Sequence, residues 1–111
     1  PMIDQIEQYE ELERGWNGYD APQIDPEVCE EAKRVVPKLP SGDGWKSGSE
    51  VFPTGRGTIQ FEFTNKEGTE IEFEIFGRSK GEILIDPKLD EMKTWEGEIG
   101  RCIDIINSYS D

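Results

Sequence analysis

The clearest pattern along the chain is a two-residue alternation between positions 58 and 76. In TIQFEFT (58–64), Ile59, Phe61 and Phe63 alternate with Gln60 and Glu62. In TEIEFEIF (69–76), Ile71, Phe73 and Ile75 alternate with Glu70, Glu72 and Glu74. Period two marks half-buried strands. Asn65-Lys66-Glu67-Gly68 lies between them and suits a type I turn with Gly68 in the left-handed region, which makes a three-residue hairpin loop. Such a turn sets Asn65 opposite Thr69. Phe63 then faces Ile71, Phe61 faces Phe73 and Ile59 faces Ile75. On the other side Thr64 meets Glu70, Glu62 meets Glu72 and Gln60 meets Glu74. A slip of one residue would set apolar against acidic side chains, so the register is well specified. Val51-Phe52-Pro53 predicts a preceding edge strand over about 50–53, because Pro53 has no ladder donor. Thr54-Gly55-Arg56-Gly57 turns it into the hairpin. Glu82 to Ile85 predicts a fourth strand after the GRSKG turn.

Helical spacing brackets this sheet. Ile3, Ile6, Tyr9 and Leu12 predict a short amphipathic helix over 2–13, with Gly15 free to take a left-handed cap. Asp25-Pro26-Glu27 predicts a second helix over 26–36: Asp25 can cap, Pro26 suits the first position, and Glu27, Glu30 and Glu31 favour the positive end. Its buried face would be Val28, Ala32, Val35 and Val36, and Pro37 would end it. PKLPSGDGWKSGSE (37–50) reads as a loop carrying Trp45. Asp86-Pro87 repeats the helix-start signal. Leu89, Met92, Trp95, Ile99, Cys102, Ile103 and Ile106 recur at three- and four-residue steps, which predicts a helix over about 87–107, with Gly97 and Gly100 as points where it would break. The expected fold is therefore α+β: one domain over 2–111, an antiparallel meander of about four strands, and two or three helices packed on one face.

Composition sharpens this picture. Lys plus Arg number 12 against 25 Asp plus Glu, with no His, for a net charge of −13. So negative a field repels nucleic acid and anionic membranes and attracts basic surfaces; plain solubility is the alternative reading. No apolar run approaches the length of a membrane span, no signal peptide is evident, and a cytoplasmic location is expected. Pro1 ahead of Met2 reads as a residue left by cloning, with Met2 the natural start. Cys29 and Cys102 form no Cys-x-x-Cys motif and sit in apolar helical settings, so buried free thiols are expected rather than a disulfide.

Familiar site chemistry is missing from the sequence. Without His there is no imidazole base, no Ser-His or Cys-His pair and no imidazole metal ligand. Two separated cysteines cannot build a thiolate zinc site, and no calcium-loop pattern occurs. GRG at 55–57 lies between strands, and GDGWKSGS at 42–49 lacks phosphate-loop spacing. No catalytic residue, cofactor or metal is expected. The acidic strand face stands out instead. Glu62 directly across from Glu72 is a destabilising like-charge pair, Glu70 and Glu74 flank it, and Glu82 continues it on the next strand. Lys66, Arg78 and Lys80 lie in turns, too far out to neutralise its middle. This face reads as a docking surface for basic residues, or as a solvated face that resists aggregation. Trp16 and Tyr19, in GWNGYDAPQI (15–24), are expected to fold back onto the first helix and the sheet, with a ligand-stacking role as the alternative. Trp45 is the stronger candidate for an exposed contact.

GWNGYDAPQI followed by a Pro-started helix and then VFPTGRGTIQFEF resembles a group of small uncharacterised bacterial and prophage-type proteins. Their pattern is GW[DN]GYxAPxI, a short helix and a V-x-PT-x-x-G-x-I-Q-x-E-[FW] hairpin. The resemblance covers roughly residues 12 to 76, with Phe63 at a position where Trp is the commoner residue, and stops before Asp86. It brings no activity and no site residues. It implies a mobile-element or defence context.

Together these readings predict a non-enzymatic acidic protein-binding module, an antagonist, antitoxin or nucleic-acid mimic. Its partner would be a basic protein, such as one that itself binds nucleic acid, held through Glu62, Glu70, Glu72, Glu74 and Glu82. The alternative is a small-ligand-binding or enzymatic module using a pocket under the 37–50 loop lined by Trp45, Trp16 and Tyr19. A further option is self-association through an exposed edge at Val51 or Leu84.

Overall fold

The hairpin has the register that its alternation dictates. In the computed structural model, which describes residues 1–46 and 49–110, β1 (Glu50–Pro53) pairs with β2 (Ile59–Thr64), and β2 with β3 (Glu70–Gly77). Phe63 lies opposite Ile71, Phe61 opposite Phe73, Ile59 opposite Ile75, and Glu62 opposite Glu72. Gly68 turns the hairpin at φ +92°. Asn65 does more than turn the chain. It is 1% exposed; its Oδ1 accepts the Thr69 N–H at 2.9 Å, and its Nδ2 donates to the Tyr109 carbonyl at 2.9 Å. The hairpin tip is thereby tied to the C-terminal segment.

Beyond the hairpin, β4 (Lys80–Asp86) and β5 (Lys93–Glu98) complete a five-stranded antiparallel sheet in the order β1-β2-β3-β4-β5. The fold is α+β, with helices α1 (Met2–Tyr9), α2 (Pro26–Val35) and α3 (Ile99–Asn107) packed with one face of the sheet in a common core. The sequence predicts a helix over 87–107, and here the structure differs. Asp86 Oδ1 accepts the Lys88 N–H at 2.9 Å and Lys88 takes φ +72°, so the chain reverses instead of starting a helix. Thr94 and Trp95 then extend β5, with Trp95 opposite Ile83. A Cβ on Gly97 would lie 2.4 Å from the Trp95 ring, so glycine here leaves the room in which the indole lies over the strand. Leu89 and Met92, which complete the helical stripe by spacing, are 99% and 56% exposed. Only the end of the stripe is helical: Ile99, Cys102, Ile103 and Ile106 form the buried side of α3. Because β5 covers β4, Leu84 is not at an edge, and self-association through it is ruled out as an edge contact.

The N-terminal helices follow their local signals more closely. Asp25 Oδ1 accepts the Glu27 N–H at 2.9 Å and Pro26 opens α2, whose buried side is Val28, Cys29, Ala32 and Val35. Pro37 converts its end into a short 3-10 turn over Val36–Lys38. α1 stops at Tyr9, earlier than the spacing predicts; Gly15 (φ +83°) serves the following loop, where its N–H donates to the Ala21 carbonyl at 2.8 Å.

Cys29 and Cys102 are both buried and unbonded. Burial pushes each thiol up to about 11. Since the thiolate is the nucleophile, native protein at pH 8 is expected to resist iodoacetamide, whereas urea-unfolded protein labels at both cysteines. Mass spectrometry checks this; rapid native labelling of either thiol would contradict its burial.

Candidate docking face

One face of the sheet carries the helices; its other side is open. Strand alternation and register decide what the open side presents. One row across the strands reads Phe52, Gln60, Glu74, Glu82, Glu96. The next reads Glu50, Glu62, Glu72, Leu84, Thr94, and a shorter third reads Thr64, Glu70, Asp86. All five glutamates singled out in the sequence, Glu62, Glu70, Glu72, Glu74 and Glu82, thus share one surface. The pairing adds Glu50 and Glu96, which sequence reasoning misses. The pattern of β1 marks it as a strand but leaves its register against β2 open, and the apolar spacing across β5 is that of a helix.

Among the described residues, Arg56 and Lys88 reach onto this face from turns, and Lys80, expected in a turn, instead opens β4 at the end of the face opposite Glu98. Arg56, in the turn between β1 and β2, grips Glu74 with both arms: Nη2 lies 2.5 Å from Oε1, and Nε donates to Oε2 at 3.2 Å. Thr58 Oγ1 donates to Glu74 Oε2 at 2.6 Å, and Thr54 and Thr58 share a hydroxyl contact of 2.5 Å. Glu74 is consequently only 7% exposed although it points to the open side. Lys88 pairs with Glu70 at 2.7 Å and with Asp86 at 3.3 Å. The Lys88 backbone N–H in turn holds the Asp86 carboxyl below its ordinary range. Arg78 is engaged elsewhere, by Glu27 on α2. A bidentate guanidinium–carboxylate pair beside a buried hydroxyl is the strong form of such contacts.

Between these two locks lies Glu50–Glu62–Glu72. Neither Glu62 nor Glu72 has a cationic partner among the described residues; Glu62 accepts only from Gln60 Nε2, at 3.0 Å. Desolvation raises the Glu72 carboxyl, and the charges of Glu62, Glu70, Glu74 and Asp86 raise it further. A carboxyl that holds its proton more tightly folded than unfolded weakens the fold once it ionises. The penalty is present at neutral pH and disappears as pH falls below the ordinary value of 4.5, where both states are protonated. Glu72→Gln is therefore expected to stabilise the protein by about 0.5 kcal/mol at pH 7 and by nothing at pH 3.5. Urea denaturation at the two pH values checks both halves; no gain at pH 7 would show that the like charges are already relieved.

The aromatic candidates disperse. Trp16 is half-buried and its Nε1 donates to the Pro22 carbonyl at 3.0 Å, the loop-locking role expected of it. Tyr19 does not fold back. It is 86% exposed, on a turn held by Asn17 Oδ1, which accepts the Tyr19 N–H at 2.9 Å, and by the Arg14–Asp20 pair. Gly18 at φ +82° carries the ring outward. Trp45 is buried rather than exposed, edge-on to Phe63 with centroids 6.1 Å apart. A groove of about 520 Å³ beside the 36–46 segment includes Trp45, Leu39 and Lys46, but neither Trp16 nor Tyr19. The three-aromatic pocket of the ligand-binding alternative is therefore not assembled.

Among the described residues no group of three or more acidic, cysteine or histidine side chains is arranged to hold a metal ion, and no helix is long and apolar enough to cross a membrane. Comparison with protein-family models, with curated proteins and with solved structures found no match.

Proposed function

We propose that the protein is a non-enzymatic binding module whose open sheet face docks a basic protein, acting as an antagonist, an antitoxin or a mimic of nucleic acid in a mobile-element or defence setting. The observation that carries this reading is the row Glu50–Glu62–Glu72. It sets three carboxylates side by side on adjacent strands, at a spacing of about 4.8 Å, with the central Glu62 and Glu72 lacking any cation among the described residues. Like charges directly across a ladder are destabilising, and a lysine or arginine from a partner would convert that repulsion into attraction. Glu82 extends the same surface. Glu70 and Glu74, already engaged by Lys88 and Arg56, frame it. Arg56 is held by Glu74, so it does not swing over to neutralise the row.

The test is capture from the native host with wild-type protein and with Glu62→Lys/Glu72→Lys, at low and high salt. A basic partner is expected on the wild type at low salt only, and on the variant at neither. An identical partner set on both proteins would overturn the reading.

A further inference from the structure

The sheet has two edges, and they are treated differently. At β1, Pro53 offers no N–H, and the Tyr9 hydroxyl from α1 donates to the Val51 carbonyl at 3.1 Å. That edge is guarded. At β5, among the described residues, no hydrogen bond outside the ladder to β4 involves Lys93 to Glu98. The free backbone groups of this edge are a template for another strand, and the charged side chains Lys93, Glu96 and Glu98 blunt it against acidic copies while leaving a basic strand as its complement. Two large apolar side chains, Leu89 and Met92, stand exposed immediately before β5. The row Glu74–Glu82–Glu96 ends at this edge, and Arg56 is already taken by Glu74.

We propose that β5 is a second contact element for the same partner: an extended segment of a basic protein adds to it as a sixth strand. Lysine or arginine at alternate positions of that segment would face Glu96 and, beside it, Glu98, which already has Lys80 opposite it on β4. An apolar residue near its end would cover Leu89 and Met92. Backbone ladder bonds supply affinity in this mode, and the alternate side chains supply selectivity. The occupant is not a second copy. Each chain carries −13, and edge-to-edge pairing would bring the Glu96 and Glu98 carboxylates of two copies onto one face. A residue opposite Glu96 continues a row of three glutamates, so a basic side chain there gains from direct cross-strand pairing.

This inference rests on the docking reading above but makes a separate demand, that backbone pairing occurs at β5. The probe is a blocked seven-residue peptide alternating lysine and valine, compared with the same peptide N-methylated at every residue, so that both strand edges lose their donors. The methylated form keeps the charge and cannot complete a ladder. The alternating peptide is expected to bind full-length protein at low salt and to slow amide exchange within 94–98. The methylated peptide should bind about tenfold more weakly or worse, and Glu96→Lys/Glu98→Lys should erase the difference. Equal binding of both peptides with unchanged β5 exchange would overturn edge pairing while leaving the acidic face as a docking surface. Binding of neither peptide would also overturn it, and the charge-reversal capture then judges the face by itself.

Discussion

Phe73→Ala is expected to lower the stability by about 3–5 kcal/mol and the melting temperature by on the order of 15 °C. Phe73 is fully buried at the middle of the central strand. Its ladder neighbours are Phe61 and Ile83, and its ring lies 6.0 Å from that of Phe61. The methyl left behind cannot fill the space, and the flanking β-branched side chains cannot collapse into it without breaking the ladder. A domain of this size has roughly 5–15 kcal/mol in total, so the variant would stand near its unfolding threshold. Gly81 supplies an internal check. A Cβ there would lie 2.7 Å from the Phe73 ring and 3.0 Å from Cys102 Sγ. Gly81→Ala alone should destabilise by overpacking, and the double variant should lose less than the two single losses together, because the vacated ring space admits the methyl. Urea titrations of all three variants measure this. A melting point for Phe73→Ala within a few degrees of wild type would mean that the ring is not the centre of the core.

Glu62→Lys/Glu72→Lys is expected to slow association with a basic partner by about 10- to 1,000-fold at low salt. The substitutions change the sign of the two central carboxylates of the row Glu50–Glu62–Glu72 on the open face without touching the core. At 1 M salt the Debye length is about 3 Å, so the two proteins should then associate at similar slow rates. Stability should hold. The two lysines repel each other as the two glutamates did, but each gains attractive neighbours in Glu50, Glu70 and Glu82. A single Glu72→Lys should even stabilise, by setting opposite charges across the β2–β3 ladder. Stopped-flow association across a salt series gives the comparison, with thermal melts as the folding control. An association rate that ignores both the substitutions and the salt would remove the electrostatic basis for docking.

The candidate face is legible in part for a definite reason. Glu62, Glu70, Glu72 and Glu74 can be placed on one surface because strand side chains alternate strictly, and because a three-residue loop ending on Gly68 leaves one register. Glu82 follows from the next turn. Arg56 and Lys88 are not legible as partners. Each meets its carboxylate 18 residues away, and which way a turn carries its side chain depends on the strand pairings around it. Tyr19 and Trp16, three residues apart in one loop, meet opposite fates. The indole finds the Pro22 carbonyl, while positive φ at Gly18 sends the phenol into solvent.

What the sequence by itself determined is local and periodic. It specified the β2–β3 register, because a slip would bury glutamates, and the start of α2, because Asp25 and Pro26 satisfy a helix N-terminus with no outside help. The tertiary structure decided everything that rests on competition between periods and on distant partners. Leu89, Met92 and Trp95 have helical spacing, yet β4 presented an unpaired edge. Ladder bonds to Thr94 and Trp95, with Gly97 giving room beneath the indole, outweighed a helix interrupted by two glycines. That outcome moved the open edge from β4 to β5 and carried the acidic row to Glu96. Pairing with β2 set Glu50 beside Glu62.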